Sequence, residues 1–250
     1  MQRRLDFKPG EKFDYANANY SLLAEVVKKV TRRSFDEYLH DALFAPLGMG
    51  STGVYDQFTR YPIPECASPY LRVDGKYVVE SISQSGILGS LGVVTNLDDM
   101  MKWNENFDHN SLEGGENLTS LMMKTWSLLD GRECWQFRGL CQAYSFGLFK
   151  TRYRGLDLVW HSGGTPGMYT LAQRYPKQKL SVVIFTNNSD YQPRLGELSE
   201  KIAEIYLGDE FTAPQVFQAP IPAASSPAPY LYSPAELSEY AGSYFSDELA

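Results

Sequence analysis

The sequence predicts an α+β fold, an antiparallel sheet flanked by helices plus a helical region. Three observations carry this reading. Apolar residues recur at helical spacing through the first part of the chain. After Cys141, four strand-like segments follow one another across short turns, an order that suits antiparallel neighbours. A helical pattern closes that run, and a proline-rich stretch follows it.

The elements are expected in this order. Leu22, Leu23, Val26, Val27 and Val30 line one face of a first helix over about 18–31. Ser34-Phe35-Asp36-Glu37 is a capping-box pattern: the hydroxyl caps free amides and Glu37 reaches back. It opens a second helix striped by Phe35, Tyr38, Leu39, Ala42 and Leu43 and stopped by Pro46. YLRVDGKYVVE is a hairpin turning at Asp74-Gly75. The glycine-rich link SGILGSLGVV leads to a third helix that opens at TNLD and runs through about Phe107, and a fourth spans 118–129. YSFGLFKTRY, LDLVWH, MYTLAQRY and LSVVIFTN are the four strands. A last helix covers about 193–207, with Leu195, Leu198, Ile202 and Ile205 inward and Gly208 at its end. Residues 1–208 thus form one domain. Residues 209–233 are a Pro/Ala/Ser linker, and 234–250 begin a second, β-type module that is cut short.

Composition narrows the function. Hydrophobic residues are 43% and charged residues 21% of 250, an ordinary globular balance. The formal net charge is −7, and the basic group Lys28, Lys29, Arg32 and Arg33 reads as the solvated side of a helix, so no nucleic-acid partner is expected. No apolar run approaches the roughly 18 residues of a membrane span. The start, MQRRLDFKPGEKF, has no hydrophobic signal core, and the compartment stays unknown. The cysteines Cys66, Cys134 and Cys141 are odd in number and form no CxxC. They are expected as free thiols; a Cys134–Cys141 bridge is the open alternative, without support from the spacing. His40, His109 and His161 have no metal-ligand spacing. There is no P-loop, no dinucleotide fingerprint and no G-x-S-x-G elbow. No metal and no cofactor are expected.

Two stretches could carry chemistry. Tyr15 and Asn17 precede the first helix, and in an extended segment residues two apart point the same way. A phenol relays a proton if nearby cations lower its pKa, and an amide holds a carbonyl or N–H. The same residues also suit a plain helix cap by Asn17 or Asn19. The second stretch is His161-Ser162-Gly163-Gly164, where a strand is expected to end in a glycine turn. Bare glycines let a substrate lie against backbone N–H groups, and an imidazole donates, accepts or relays near neutral pH. A glycine turn beside a partly buried histidine has the same sequence.

Together these segments resemble the penicillin-recognising serine hydrolases, in the branch of class C β-lactamases, D-alanyl-D-alanine carboxypeptidases and related esterases. FDYANANYSLLAEVVKKVTRRSFDEYLHDALFAPLGMGST is similar to that family's Tyr-x-Asn motif, helix and PLGM segment. HSGGTPGMYTLAQRYPKQKLSVVIFTNN is similar to its Lys/His-Ser/Thr-Gly strand and the strand after it. The resemblance implies a β-lactamase/transpeptidase-like fold and acyl transfer on a β-lactam, a D-Ala peptide or a small ester. It implies a catalytic set of Tyr15, Asn17 and His161, with Ser162, Gly163 and Gly164 against the substrate and the Gly164 N–H as half of an oxyanion hole. The implied partner is a small-molecule or peptide substrate.

One departure qualifies this. The family's nucleophile is the serine of Ser-x-x-Lys, one helical turn before the lysine. No serine in the 250 residues has lysine three positions later. The expectation is an N-terminally incomplete form of the fold, inactive by itself. The alternative is a non-catalytic remnant that binds a ligand or a partner chain.

Overall fold

The computed structural model describes residues 5, 7–55, 65–80, 88–112, 114–137 and 140–213. Five α-helices occur there: α1 (Asn17–Thr31), α2 (Phe35–Leu39), α3 (Leu97–His109), α4 (Gly115–Met123) and α5 (Leu195–Leu207). The strands are β1 (Gly53–Val54), β2 (Tyr70–Val73), β3 (Lys76–Val79), β4 (Val93–Val94), β5 (Trp135–Phe137), β6 (Leu140–Ser145), β7 (Leu148–Tyr153), β8 (Leu156–Thr165), β9 (Met168–Tyr175) and β10 (Leu180–Thr186).

Strands β10-β9-β8-β7-β6-β5 form one antiparallel sheet in that spatial order. Sequence order and spatial order coincide because tight turns join neighbours. Phe146-Gly147 and Arg154-Gly155 both place two successive residues at positive φ (47° and 82°; 48° and 91°), the geometry of a two-residue hairpin whose twist suits the strands. Asp74-Gly75 does the same between β2 and β3, as expected.

Helix α5 lies on the sheet through Leu158, Tyr175, Ala203 and Leu207, with Tyr153, Leu156, Trp160, Leu180 and Phe211 around them. A second cluster, Phe44, Met49 and Val54, packs with Phe35, Leu39, Leu43, Leu47, Leu88 and Trp103. The helical part is tied to the sheet by Arg174 of β9. Its guanidinium pairs with Asp108 and donates to the Asn104 carbonyl of α3 (3.3 Å) and to Ser181 Oγ (3.1 Å). The helix α2 begins with the full capping box, Ser34 Oγ accepting from the Glu37 N–H and Glu37 accepting from the Ser34 N–H.

Several expectations need correction. The fourth helix ends at Met123, not 129. Lys124 turns extended, and Leu128–Arg132 form a turn whose Leu129 N–H donates to the Gly10 carbonyl. YSFGLFKTRY is two strands and a turn, because Phe146 takes a left-handed conformation that its side chain does not advertise. The segment Ser162–Gly164 continues β8 rather than turning. The turn lies at Pro166-Gly167, and β9 pairs with β8 as far as Thr165↔Met168. Leu198 and Ile205 of α5 are exposed, and the inward face is Leu195, Ser199, Ala203 and Leu207, where small residues let the helix sit close over Tyr175. Gly208 is right-handed and leads into a 3-10 turn. Cys134 and Cys141 are joined across the β5–β6 pair, with Cα atoms 5.5 Å apart, so only Cys66 is a free thiol. The first three residues of the glycine-rich link, 85–87, and all of 214–250 lie outside the described residues.

Candidate active site

The site is built where the segment before α1 meets the sheet. Ala16 is extended (φ −140°, ψ 121°) and is the residue that precedes the helix. Tyr15 and Asn17 therefore flank an extended residue, as the spacing suggested. The helix has no side-chain cap, so Asn17 and Asn19 are not spent on free amides, contrary to the capping alternative. Asn17 is exposed. Its carbonyl accepts from Ser21 Oγ, and its side-chain amide faces solvent.

Tyr15 and His161 lie 146 residues apart in sequence, yet the Tyr15 hydroxyl is 3.5 Å from His161 Nε2. The distance is at the outer edge of hydrogen bonding. The two rings are 6.0 Å apart between centroids, and Phe149 touches both, at 5.9 Å from Tyr15 and 5.4 Å from His161. Tyr144 packs edge-on against Tyr15 at 6.0 Å.

These rings set the protonation states. Burial raises the Tyr15 pKa above its ordinary value, and nearby Tyr20 adds to the effect. Burial lowers the His161 pKa, partly offset by a hydrogen bond with the Ser162 backbone. A phenol whose pKa is raised thus faces an imidazole whose pKa is lowered, and the imidazole tautomer sets which of the two donates across the contact. The expected cation that would acidify Tyr15 is not what governs it. Burial pushes it the other way.

Strand β8 supplies the other edge. Its pairing with β7 stops at Trp160, while its pairing with β9 continues to Thr165. Ser162, Gly163 and Gly164 are therefore covered on one edge only, and all three are exposed. A Cβ on Gly164 would lie 2.6 Å from Tyr169 Cδ1. The strand thus offers bare backbone polar groups beside the Tyr15–His161 contact, where a side chain at Gly164 would have to displace a ring. A cleft of about 250 Å³ adjoins the other side of Tyr15, lined by Phe7, Phe13, Tyr20 and Tyr144 among others.

The structure brings Tyr15 and His161 together beside the Ser162–Gly164 strand, and places Asn17 as the exposed first residue of α1, two positions after Tyr15. Sequence reasoning missed the aromatic wall of Phe13, Tyr144, Phe149 and Trp135. No short motif marks it, because its members come from separate segments that meet only through sheet register.

The chain belongs to the beta-lactamase family, whose model matches residues 1–207. Among curated relatives, it is 27% identical to the D-aminopeptidase of Gluconobacter oxydans over 195 residues, covering 74% of this chain and 33% of that protein. It is 30% identical to Protein flp of Staphylococcus aureus (strain MW2) over 200 residues, covering 79% of this chain and 38% of that one. The chain therefore spans about a third of the length of these curated relatives. Its fold matches the octameric penicillin-binding protein homologue from Pyrococcus abyssi (TM-score 0.66, 24% identity, 81% of this chain and 44% of that chain). It also matches D-amino acid amidase from Ochrobactrum anthropi SV3 (TM-score 0.64, 23% identity, 83% and 61%).

Proposed function

We propose that these residues carry the proton-relay and oxyanion part of a serine hydrolase that transfers the acyl group of an amide, a β-lactam or a small ester. The observation that carries this is the Tyr15–His161 contact beside the half-covered strand Ser162–Gly164. A serine hydroxyl adds to the carbonyl, and its proton passes through the Tyr15 oxygen to the leaving nitrogen or oxygen as the C–N or C–O bond breaks. Water then adds to the acyl carbon, and its proton passes through the Tyr15 oxygen to the serine oxygen as the ester C–O bond breaks and the acid leaves. A protonated phenol is the correct state for delivering that proton, and neutral His161 holds it in line. The Gly164 N–H faces the developing oxyanion, and the Asn17 amide holds the substrate's own amide. The D-aminopeptidase and D-amino acid amidase among its relatives favour D-amino acid amides as first substrates to test.

The test is turnover of D-amino acid amides, a D-Ala peptide, a chromogenic cephalosporin and a small ester by the natural gene product. Turnover of at least one is expected, reduced roughly 10²–10⁴-fold in Tyr15→Phe. No turnover and no covalent adduct with a fluorophosphonate or fluorescent penicillin, in well-folded protein, would overturn the proposal.

A second reading, a non-catalytic ligand-binding protein, is favoured by one fact: no serine here precedes a lysine by three. It expects calorimetry to detect a boronate or penicillin bound to the 250-residue chain without turnover. An enzymatic rate from that chain would end it.

A further inference from the structure

The segment that delivers Tyr15 has little to hold it. Residues 7–16 form no helix and no strand. Among the described residues, a backbone hydrogen bond and the Phe13 ring anchor them ahead of Tyr15. The Gly10 carbonyl accepts from the Leu129 N–H (2.8 Å), and the Phe13 ring stacks on Trp135 at 3.8 Å and 12°. Phe13 is two residues before Tyr15, and it also touches Tyr144 at 5.3 Å. Trp135 in turn reaches Phe149 (6.2 Å), the ring that contacts both Tyr15 and His161.

Trp135 lies on β5, a strand of three residues that, among the described residues, stands at the edge of the sheet and pairs with β6 alone. So short an edge strand is marginal by itself. The Cys134–Cys141 link joins the residue just before Trp135 to β6, which also carries Tyr144. A cross-link at that point removes freedom that the short ladder cannot.

We infer that the cross-linked β5–β6 pair is a positioning device for Tyr15, acting through Trp135 on Phe13. With the link closed, the indole gives Phe13 a fixed face, and Tyr15 is held over His161. With the link opened, β5 is held by three residue pairs only, Trp135 loses its register, and the phenol drifts off the imidazole. The site is thereby sensitive to thiol reductants although neither cysteine touches it. The inference rests on the reading of Tyr15 and His161 as one site. Its readout is geometric and needs no turnover, so it fails separately from the proposed activity.

The readout is the NMR titration of the three histidines in the whole 250-residue chain, with His161 assigned by its loss in His161→Gln. Tyr15 is the titratable group in contact with that ring, Tyr144 packs behind it, and among the described residues no ion pair involves His161. Before reduction, alkylation is expected at Cys66 alone, with His161 titrating below the ordinary imidazole value. A phosphine reductant, or Trp135→Ala, is expected to move that titration upward as the ring is uncovered. Trp135→Phe, which keeps a stacking face, is expected to leave it low. A merely structural role for the hairpin predicts lower stability with an unmoved titration. Alkylation of Cys134 and Cys141 in unreduced protein, or a His161 titration unchanged by both reduction and Trp135→Ala, overturns the inference. The reduction arm keeps the test valid if Trp135→Ala fails to fold.

Discussion

Asp108→Ala should cost far more than its partly exposed carboxylate suggests. Its partner Arg174 is 8% exposed, and the Asp108 side chain is 24% exposed. Removing the carboxylate leaves a buried guanidinium with two neutral acceptors, the Asn104 carbonyl and Ser181 Oγ. Breaking a fully buried pair costs about 3–5 kcal/mol, and the carboxylate's contact with water lowers that to about 2–3 kcal/mol. For a domain of this size the midpoint should fall by roughly 5–10 °C. The double variant Arg174→Met with Asp108→Leu should recover most of the loss, because it removes the desolvated charge along with its partner. A coupling energy of about 2 kcal/mol is then expected from urea denaturation of wild type, Asp108→Leu, Arg174→Met and the double variant. Moderate salt should hardly change it, since solvent ions screen a half-buried pair poorly. Additive single-variant effects, or a loss under about 0.5 kcal/mol for Asp108→Ala, would refute the claim that this pair fastens α3 to β9.

Other outcomes follow from the same geometry. Asp99, 2% exposed, accepts from the Ser51 N–H, Thr52 Oγ1 and Lys102 Nζ, each at 2.8 Å, so Asp99→Ala should cost about 2–4 kcal/mol in denaturant titrations. Burial alone would raise its pKa, but these three donors bring the net value below the usual carboxylate range. The stability they give is present above the ordinary value near 3.8 and is lost as pH falls through the lower folded one, which acid titration of wild type and Asp99→Asn will separate. Burial lowers the His161 pKa, so its contribution is present above the ordinary value of 6.5 and lost as pH falls through the folded one. His161→Gln should flatten stability against pH in that window. Lys150 has its Nζ buried without a partner among the described residues, and burial pulls its pKa down to about 8. Lys150→Met should raise stability by ~1 kcal/mol after allowance for its partial exposure, and a drop instead would reveal an unrecognised partner.

What could be read in the sequence was local. The capping box at Ser34, the Asp74-Gly75 turn and the order of β7 to β10 follow from turn chemistry and alternation, and they sit where those rules put them. The Tyr15 and His161 stretches were legible as candidates because each breaks its surroundings with polar groups or bare glycines. Their approach across 146 residues was carried by the resemblance alone. The failures share a cause. Phe146 at positive φ hid a hairpin, and Ser162–Gly164 looked like a turn because glycine-rich strands lack the β-branched signal. The inward face of α5 was misjudged because Leu198 and Ile205 are apolar yet exposed, while Ser199 and Ala203 fit the narrow gap over Tyr175. The Cys134–Cys141 link depends on the register of β5 against β6, which cysteine spacing does not encode.

The most direct measurement is the rate at which a fluorophosphonate or fluorescent penicillin labels the natural gene product, compared across wild type, Tyr15→Phe and His161→Gln. Wild type is expected to form a covalent serine adduct, with labelling slowed roughly 10²-fold or more in Tyr15→Phe and to a lesser degree in His161→Gln. Labelling at the wild-type rate in both variants would contradict the claim that this phenol and this imidazole serve a single acyl-transfer site.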